Sequence, residues 1–131
     1  MQERIDKELA LLRSRFPEVE YKQEGQWVCI PSYPLPEGWN YRTTDVAFQI
    51  PQGYPGAPPY GFYTLSGLLF QKARPDNYNE PAPAQPPFPG PWGMFSWSPV
   101  AGQWRPAADL STGSNLLNWS IGFADRFRLG K

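Results

Sequence analysis

The order of apolar patterns along the chain predicts an α+β domain: a helix, an antiparallel β-meander, a long irregular segment and a second helix. Two stretches, one near each end, repeat apolar residues at the helical period. Between them lie strand-like runs whose connections are too short for parallel crossovers. The third observation is the 17 prolines, which exclude continuous helix through the middle of the chain.

Residues 3–16 place Ile5, Leu9, Leu12 and Phe16 at i, i+4, i+7 and i+11, with Glu3, Arg4, Lys7 and Arg13 elsewhere on the helix. Burying each large apolar side chain contributes roughly 1.5–3 kcal/mol, enough to dock the helix on a sheet. Pro17 ends it. Val19–Gln23 and Gln26–Ile30 read as strands joined by a tight hairpin turn at Glu24-Gly25. "SYPLPEGWNYR" is a proline-punctuated connection, and Thr43–Ile50 alternates Val46, Phe48 and Ile50 on one face of a third strand. Tyr60–Gly67 is a candidate fourth. From Arg74 to Trp92 the run "RPDNYNEPAPAQPPFPGPW" predicts an extended loop with local polyproline character, neither helix nor central strand. Asp109 or Ser111 is expected to cap a final helix reaching about Phe127. Leu116, Trp119, Phe123 and Phe127 form one apolar stripe on it; Leu117, Ile121 and Ala124 form another.

At 131 residues the chain is expected to form one domain spanning residues 1–131. Its 12 basic and 12 acidic residues leave no net field to recruit nucleic acid or an anionic membrane. The single cysteine, Cys29, permits no intrachain disulfide, which fits a reducing cytoplasm, and reads as a small buried hydrophobe on a strand. The amino-terminal stretch is charged throughout and does not read as a signal peptide. No apolar run approaches the roughly 20 residues that span a bilayer. The complete absence of histidine excludes Ser-His-Asp and Cys-His catalysis and any histidine-ligated metal. No Gly-rich phosphate loop is present, and neither a metal nor an organic cofactor is expected.

Residues 50–59, "IPQGYPGAPP", narrow the fold. Their pattern, Pro-x-x-Tyr-Pro-x-x-Pro-Pro at Pro51, Tyr54, Pro55, Pro58 and Pro59, resembles the sheet-to-loop corner of ubiquitin-conjugating enzymes. Trp27 resembles their usual aromatic on the second strand. Trp104-Arg105-Pro106-Ala107 is similar to the Trp-Ser-Pro-Ala loop downstream of their catalytic cysteine. That cysteine lies eight residues before the tryptophan, and the same count back from Trp104 reaches Ser96. Within the superfamily the chain resembles the bacterial branch called prokaryotic family E, over roughly residues 1–125. There are three departures. Serine stands in the nucleophile's place; Pro86, Pro87 and Phe88 occupy the spacing of the usual His-Pro-Asn motif; and one helix follows where the eukaryotic fold adds two more.

The resemblance implies a ubiquitin-conjugating (UBC-like) fold that accepts a ubiquitin-like protein from an activating enzyme and transfers it to an amine. A deconjugating peptidase is an expected member of the same pathway. The alternative is an inert binding module of this fold that positions a ubiquitin-like protein for a partner enzyme. A second rival makes residues 81–91 a proline-rich ligand for an aromatic groove. Ser96 is the expected acyl acceptor, with Ser98 the alternative in a slipped register.

A serine hydroxyl needs a base, and without histidine the candidates are Asp76, Glu80 and Asp109. Asn77, Asn79 or backbone amides are candidate oxyanion donors. Trp92, Trp97 and Trp104, with Pro106, read as packing residues that also wall the acceptor from water. Arg4, Lys7, Arg13 and Arg15 form either a solvated helix face or the docking surface for the activating enzyme. Gly56, Ala57, Pro106 and Ala107 correspond to loops that contact ligases in relatives.

Overall fold

A computed structural model describes residues 2–97 and 104–131. Helix α1 (Gln2–Arg15) buries Ile5, Leu9 and Leu12, as the periodicity predicts, and ends before Pro17. Four antiparallel strands follow: β1 (Glu20–Lys22), β2 (Trp27–Pro34), β3 (Thr43–Gln49) and β4 (Phe62–Leu65). Two more, β5 (Tyr78–Asn79) and β6 (Trp92–Phe95), complete one sheet in the order β1-β2-β3-β4-β6-β5. Helix α2 (Leu116–Arg128) lies with α1 against one face of it. The architecture is α+β, a helix, an antiparallel sheet and a second helix, as the sequence predicts.

Local chemistry explains where this differs from expectation. The β1–β2 connection is a 3-10 turn, Glu24–Gln26, in which Gly25 takes φ 77° and Gln26 φ 56°. A side chain on Gly25 would come within 2.9 Å of the Trp27 ring, so a bare backbone is needed there. β2 runs past Ile30 to Pro34 because a register break between Ile30 and Tyr33 admits the prolines. Ser32 lies in that break at φ 55°, its amide donating to Asp45 Oδ1 at 3.0 Å.

The segment expected to be wholly irregular contributes the short edge strand β5, and its last residue, Trp92, opens β6. β6 inserts between β4 and β5, pairing Phe62 with Phe95 and Tyr78 with Phe95. Asp109 caps a 3-10 turn at Leu110–Thr112, accepting from the Ser111 amide, whereas Asn115 caps α2 by accepting from the Asn118 amide at 2.9 Å.

Both faces of β2 and β3 are apolar, so the sheet needs two covers. Val28, Ile30, Val46 and Phe48 face the helices and pack with Leu12, Leu116, Trp119, Phe123 and Phe127. Stacked rings organise this layer: Phe62 lies 4.3 Å from Phe123 and 5.1 Å from Phe95. On the other face Trp27, Cys29, Ala47 and Tyr63 are covered by Ala82, Phe88 and Trp92. The proline-rich segment is therefore the lid of a second core, with Ala82, Pro86 and Phe88 buried. That burial argues against residues 81–91 as a free ligand. Among the described residues no helix is long and apolar enough to cross a membrane.

Candidate active site

Ser96 follows directly on β6 and is half-buried. Its amide donates to the Asn77 carbonyl at 2.9 Å, which continues the Tyr78–Phe95 and Asn79–Met94 pairing by one step. On the other side the Phe62–Phe95 pair places Gly61 of the β4 lead-in beside Ser96. The Gly61 amide donates to the Trp97 carbonyl at 2.8 Å. Gly61 has φ 72°, and a side chain there would meet Met94 Cε at 2.5 Å. Ser96 thus stands between a glycine and an asparagine that itself occupies left-handed space at φ 57°.

In this register the residues at the spacing of the His-Pro-Asn motif do not lie across from Ser96. Pro86, Pro87 and Phe88 belong to the segment over the outer face, where the Phe88 carbonyl accepts from Trp92 Nε1 at 3.0 Å. The residues ending across from Ser96 are Pro75, Asp76 and Asn77. Counting back from Ser96 misses them because the extra residues between β5 and β6 loop out over the sheet.

The tryptophans divide. Trp97 packs on α2, 5.3 Å from Trp119 and 5.9 Å from Phe62, over the bare backbone of Gly122. Trp104 lies 5.8 Å from the Tyr54 ring, and its Nε1 donates to the Pro55 carbonyl at 2.9 Å. The tryptophan loop and the proline corner are thereby fastened together, with Pro106 half-buried. Trp92 departs from the expected wall: it is 1% exposed in the outer core, at the start of β6 and roughly 13 Å along the strand from Ser96.

Asp76, a candidate base, and Asn79, a candidate oxyanion donor, flank the Asn77–Tyr78 stretch, and both are exposed. Asp109 accepts from both the hydroxyl and the amide of Ser111, which hold its carboxyl below the usual range. That makes it a cap and a weak base. Glu80 accepts from the Tyr78 hydroxyl at 3.0 Å and the Gly67 amide, and pairs with Arg74 at 3.5 Å. Among the described residues no side chain is hydrogen-bonded to the Ser96 hydroxyl. Ser98 lies outside the described residues.

On α1, Lys7 is exposed beside Glu3, and Arg13 is exposed with Nε 3.5 Å from the Val19 carbonyl. Arg15 is exposed with its guanidinium over Phe16. Arg4 is different. Its Nε donates to Glu8 and its Nη1 donates to the Ala107 carbonyl, each at 2.7 Å, with only 19% of its side chain exposed. It is a tether to the tryptophan loop, not a free docking charge.

The family model for prokaryotic E2 family E matches residues 5–121. The chain belongs to that family. Comparison with curated proteins and with solved structures gives no match. Membership points to ubiquitin-like conjugation and to a transferase, with an activating enzyme and a ubiquitin-like protein as the general partners of an E2-like protein.

Sequence reasoning missed the residues that hold this family E site together. Glu8, fully buried, accepts from the Tyr54 hydroxyl at 2.5 Å and the Leu116 amide at 2.7 Å through Oε1, and from Arg4 through Oε2. One carboxylate thus joins α1, the proline corner and the first turn of α2, where the helix dipole favours it. Burial, reinforced by the Glu8 hydrogen bond, pushes the Tyr54 phenol far above its ordinary value. The signal was present: Glu8 sits on the apolar stripe with Ile5, Leu9 and Leu12. Arg126 interrupts the stripe of α2 in the same way, 3% exposed.

Proposed function

We propose that the protein accepts the carboxyl terminus of a ubiquitin-like protein on Ser96 as an oxyester and passes it to an amine. The observation that carries this reading is the position of Ser96: it follows directly on β6, lies across from Asn77, and precedes by eight residues a tryptophan bonded to the proline corner. Ser96 Oγ attacks the carbonyl carbon of the activating enzyme's thioester. The C–O bond forms, the C–S bond breaks, and the hydroxyl proton leaves through a base while the thiolate departs. An amine then attacks the oxyester carbonyl; C–N forms, C–O breaks, and Ser96 Oγ regains a proton. Asn77 is the candidate oxyanion donor and the exposed carboxylate of Asp76, one residue before it, the candidate base. ATP is consumed by the activating enzyme in the cytoplasm, and the isopeptide product is a substrate for a deconjugating peptidase.

An alkoxide is a far poorer leaving group than a thiolate, which supplies the test. After incubation with activating enzyme, ubiquitin-like protein and ATP, the wild-type adduct should resist reductant and yield to strong base. Ser96→Ala should form none while keeping its melting temperature, since a half-buried hydroxyl contributes little. Ser96→Cys should form an adduct that thiols cleave. A wild-type adduct that dissolves in reductant, or one that persists in Ser96→Ala, refutes the assignment.

A further inference from the structure

Behind the acceptor strand sits a charged side chain that the preceding mechanism does not use. Arg126, in the last turn of α2, is buried to 3% exposure. Its guanidinium carbon lies 4.7 Å from the centroid of Phe95, the residue before Ser96. Its Nη2 donates at 2.6 Å to the carbonyl of Asp76, the residue before Asn77. Nη1 is buried with no hydrogen-bond partner. One guanidinium therefore touches both arms that carry the proposed acceptor and its facing asparagine, and it does so from the helix face of the sheet.

Those two arms are otherwise weakly joined. β5 contributes two residues, Tyr78 and Asn79, at the edge of the sheet. Past them the pairing continues through the Ser96–Asn77 bond, with Asn77 in left-handed backbone space that a side chain seldom adopts. So short an edge is prone to open and to slip, and a one-residue slip would turn each side chain to the other face.

Burial costs do not favour an arginine here. Desolvation drives its guanidinium toward proton loss, which the Asp76 charge opposes, and one of its nitrogens is left unsatisfied. An apolar side chain of similar length would fill the site with less penalty. We propose that Arg126 is the positioning residue of the acceptor site: by bonding the Asp76 carbonyl while stacking on Phe95, it holds Asn77 in register across from Ser96. This role rests on the acyl-acceptor reading, and Arg126 contacts neither the ubiquitin-like protein nor the reacting atoms.

The test uses Arg126→Met and Arg126→Lys in the full chain, with charging kinetics at varied concentrations of charged activating enzyme. Arg126→Met should melt no lower than wild type, because an unpaired buried charge is removed. Its maximal charging rate should nonetheless fall roughly tenfold to a hundredfold, the scale of a displaced catalytic group, with an unchanged half-saturating concentration. Arg126→Lys, which keeps the cation over Phe95, should recover part of that rate. Amide exchange at Ser96 should accelerate in Arg126→Met, whether or not the protein is charged. A variant that charges at the wild-type rate, protects the Ser96 amide normally, or loses rate only in proportion to stability overturns the role. Absence of any adduct on the wild-type protein overturns the acceptor reading itself and this role with it.

Discussion

Replacing Glu8 by alanine should lower folding stability by about 3–5 kcal/mol, more than any exposed site on the molecule can. The substitution removes the acceptor for three donors at once: the Arg4 Nε, the Tyr54 hydroxyl and the Leu116 amide. A buried donor left without a partner costs about 1–3 kcal/mol. Tyr54 is 1% exposed and cannot turn to water, whereas Arg4, at 19%, recovers some hydration. The low end of the range already follows from one strong and two moderate losses. For a chain of this size each kcal/mol shifts the melting midpoint by roughly 3–5 °C, so a fall of about 10–20 °C is expected. Urea denaturation of Glu8→Ala, Arg4→Met and the double variant Glu8→Ala/Arg4→Met gives a thermodynamic cycle. Removing both charges together should cost about 1 kcal/mol or more less than the sum of the single losses. A Glu8→Ala protein within 1 kcal/mol of wild type, or strictly additive losses, would refute the view that this pair anchors the fold.

Other outcomes follow from the placement of Cys29 and of the exposed charges on α1. Burial, aided by the charges of Asp45 and Glu20, pushes the Cys29 thiol up to about 12, so it should resist alkylation at neutral pH in the folded protein, and Cys29→Ala should still be charged. Between the ordinary value of 9.0 and about 12 the unfolded chain has lost that proton and the folded chain has kept it, so the thiol's contribution to stability should be lost as pH rises through this window, measurable by denaturation against a Cys29→Ala control. Reversing Lys7 and Arg13 to glutamate should slow charging without changing the melting temperature, and the effect should shrink as salt is added. Equal rates for variant and wild type at low salt would remove this helix face from docking.

The elements legible in the sequence were those written in period and spacing. The stripe Ile5, Leu9, Leu12 gave α1, the alternation through Val46 and Phe48 gave β3, and the proline pattern with the Trp104 register gave the family. The hidden ones depend on distant partners. β5 has two residues, and nothing local distinguishes Tyr78-Asn79 from the loop around it until β6 pairs with it. The cap of α2 was misassigned because Asp109, Ser111 and Asn115 all have capping chemistry, and only packing decides which one precedes the buried stripe. Asn77 was one of several candidates, and its place across from Ser96 comes from a hairpin register that proline-rich insertion conceals from residue counting.

Arg4, expected at a docking surface, and Arg126, which the sequence did not single out, have a common form. Arg4 of α1 holds the carbonyl of Ala107, and Arg126 of α2 holds the carbonyl of Asp76, so each helix reaches one of the two segments that bracket Ser96. In both, one terminal nitrogen bonds a backbone oxygen and the other is buried without a partner. At Arg126 stability alone disfavours that arrangement, since an apolar residue would avoid the desolvation. What a forked, planar donor adds is direction: it fixes a carbonyl, and with it a stretch of backbone, at a set distance from a rigid helix. A serine acceptor has particular need of such fixing. Its hydroxyl is a weaker nucleophile than a thiolate and its ester a slower acyl donor, so more of the rate must come from where the base and oxyanion donor are held. In the proposed reaction, with no histidine in the chain to serve as that base, the rate rests on where the loops around Ser96 are held. In that proposal, fold stability is conceded at Arg126 to set it.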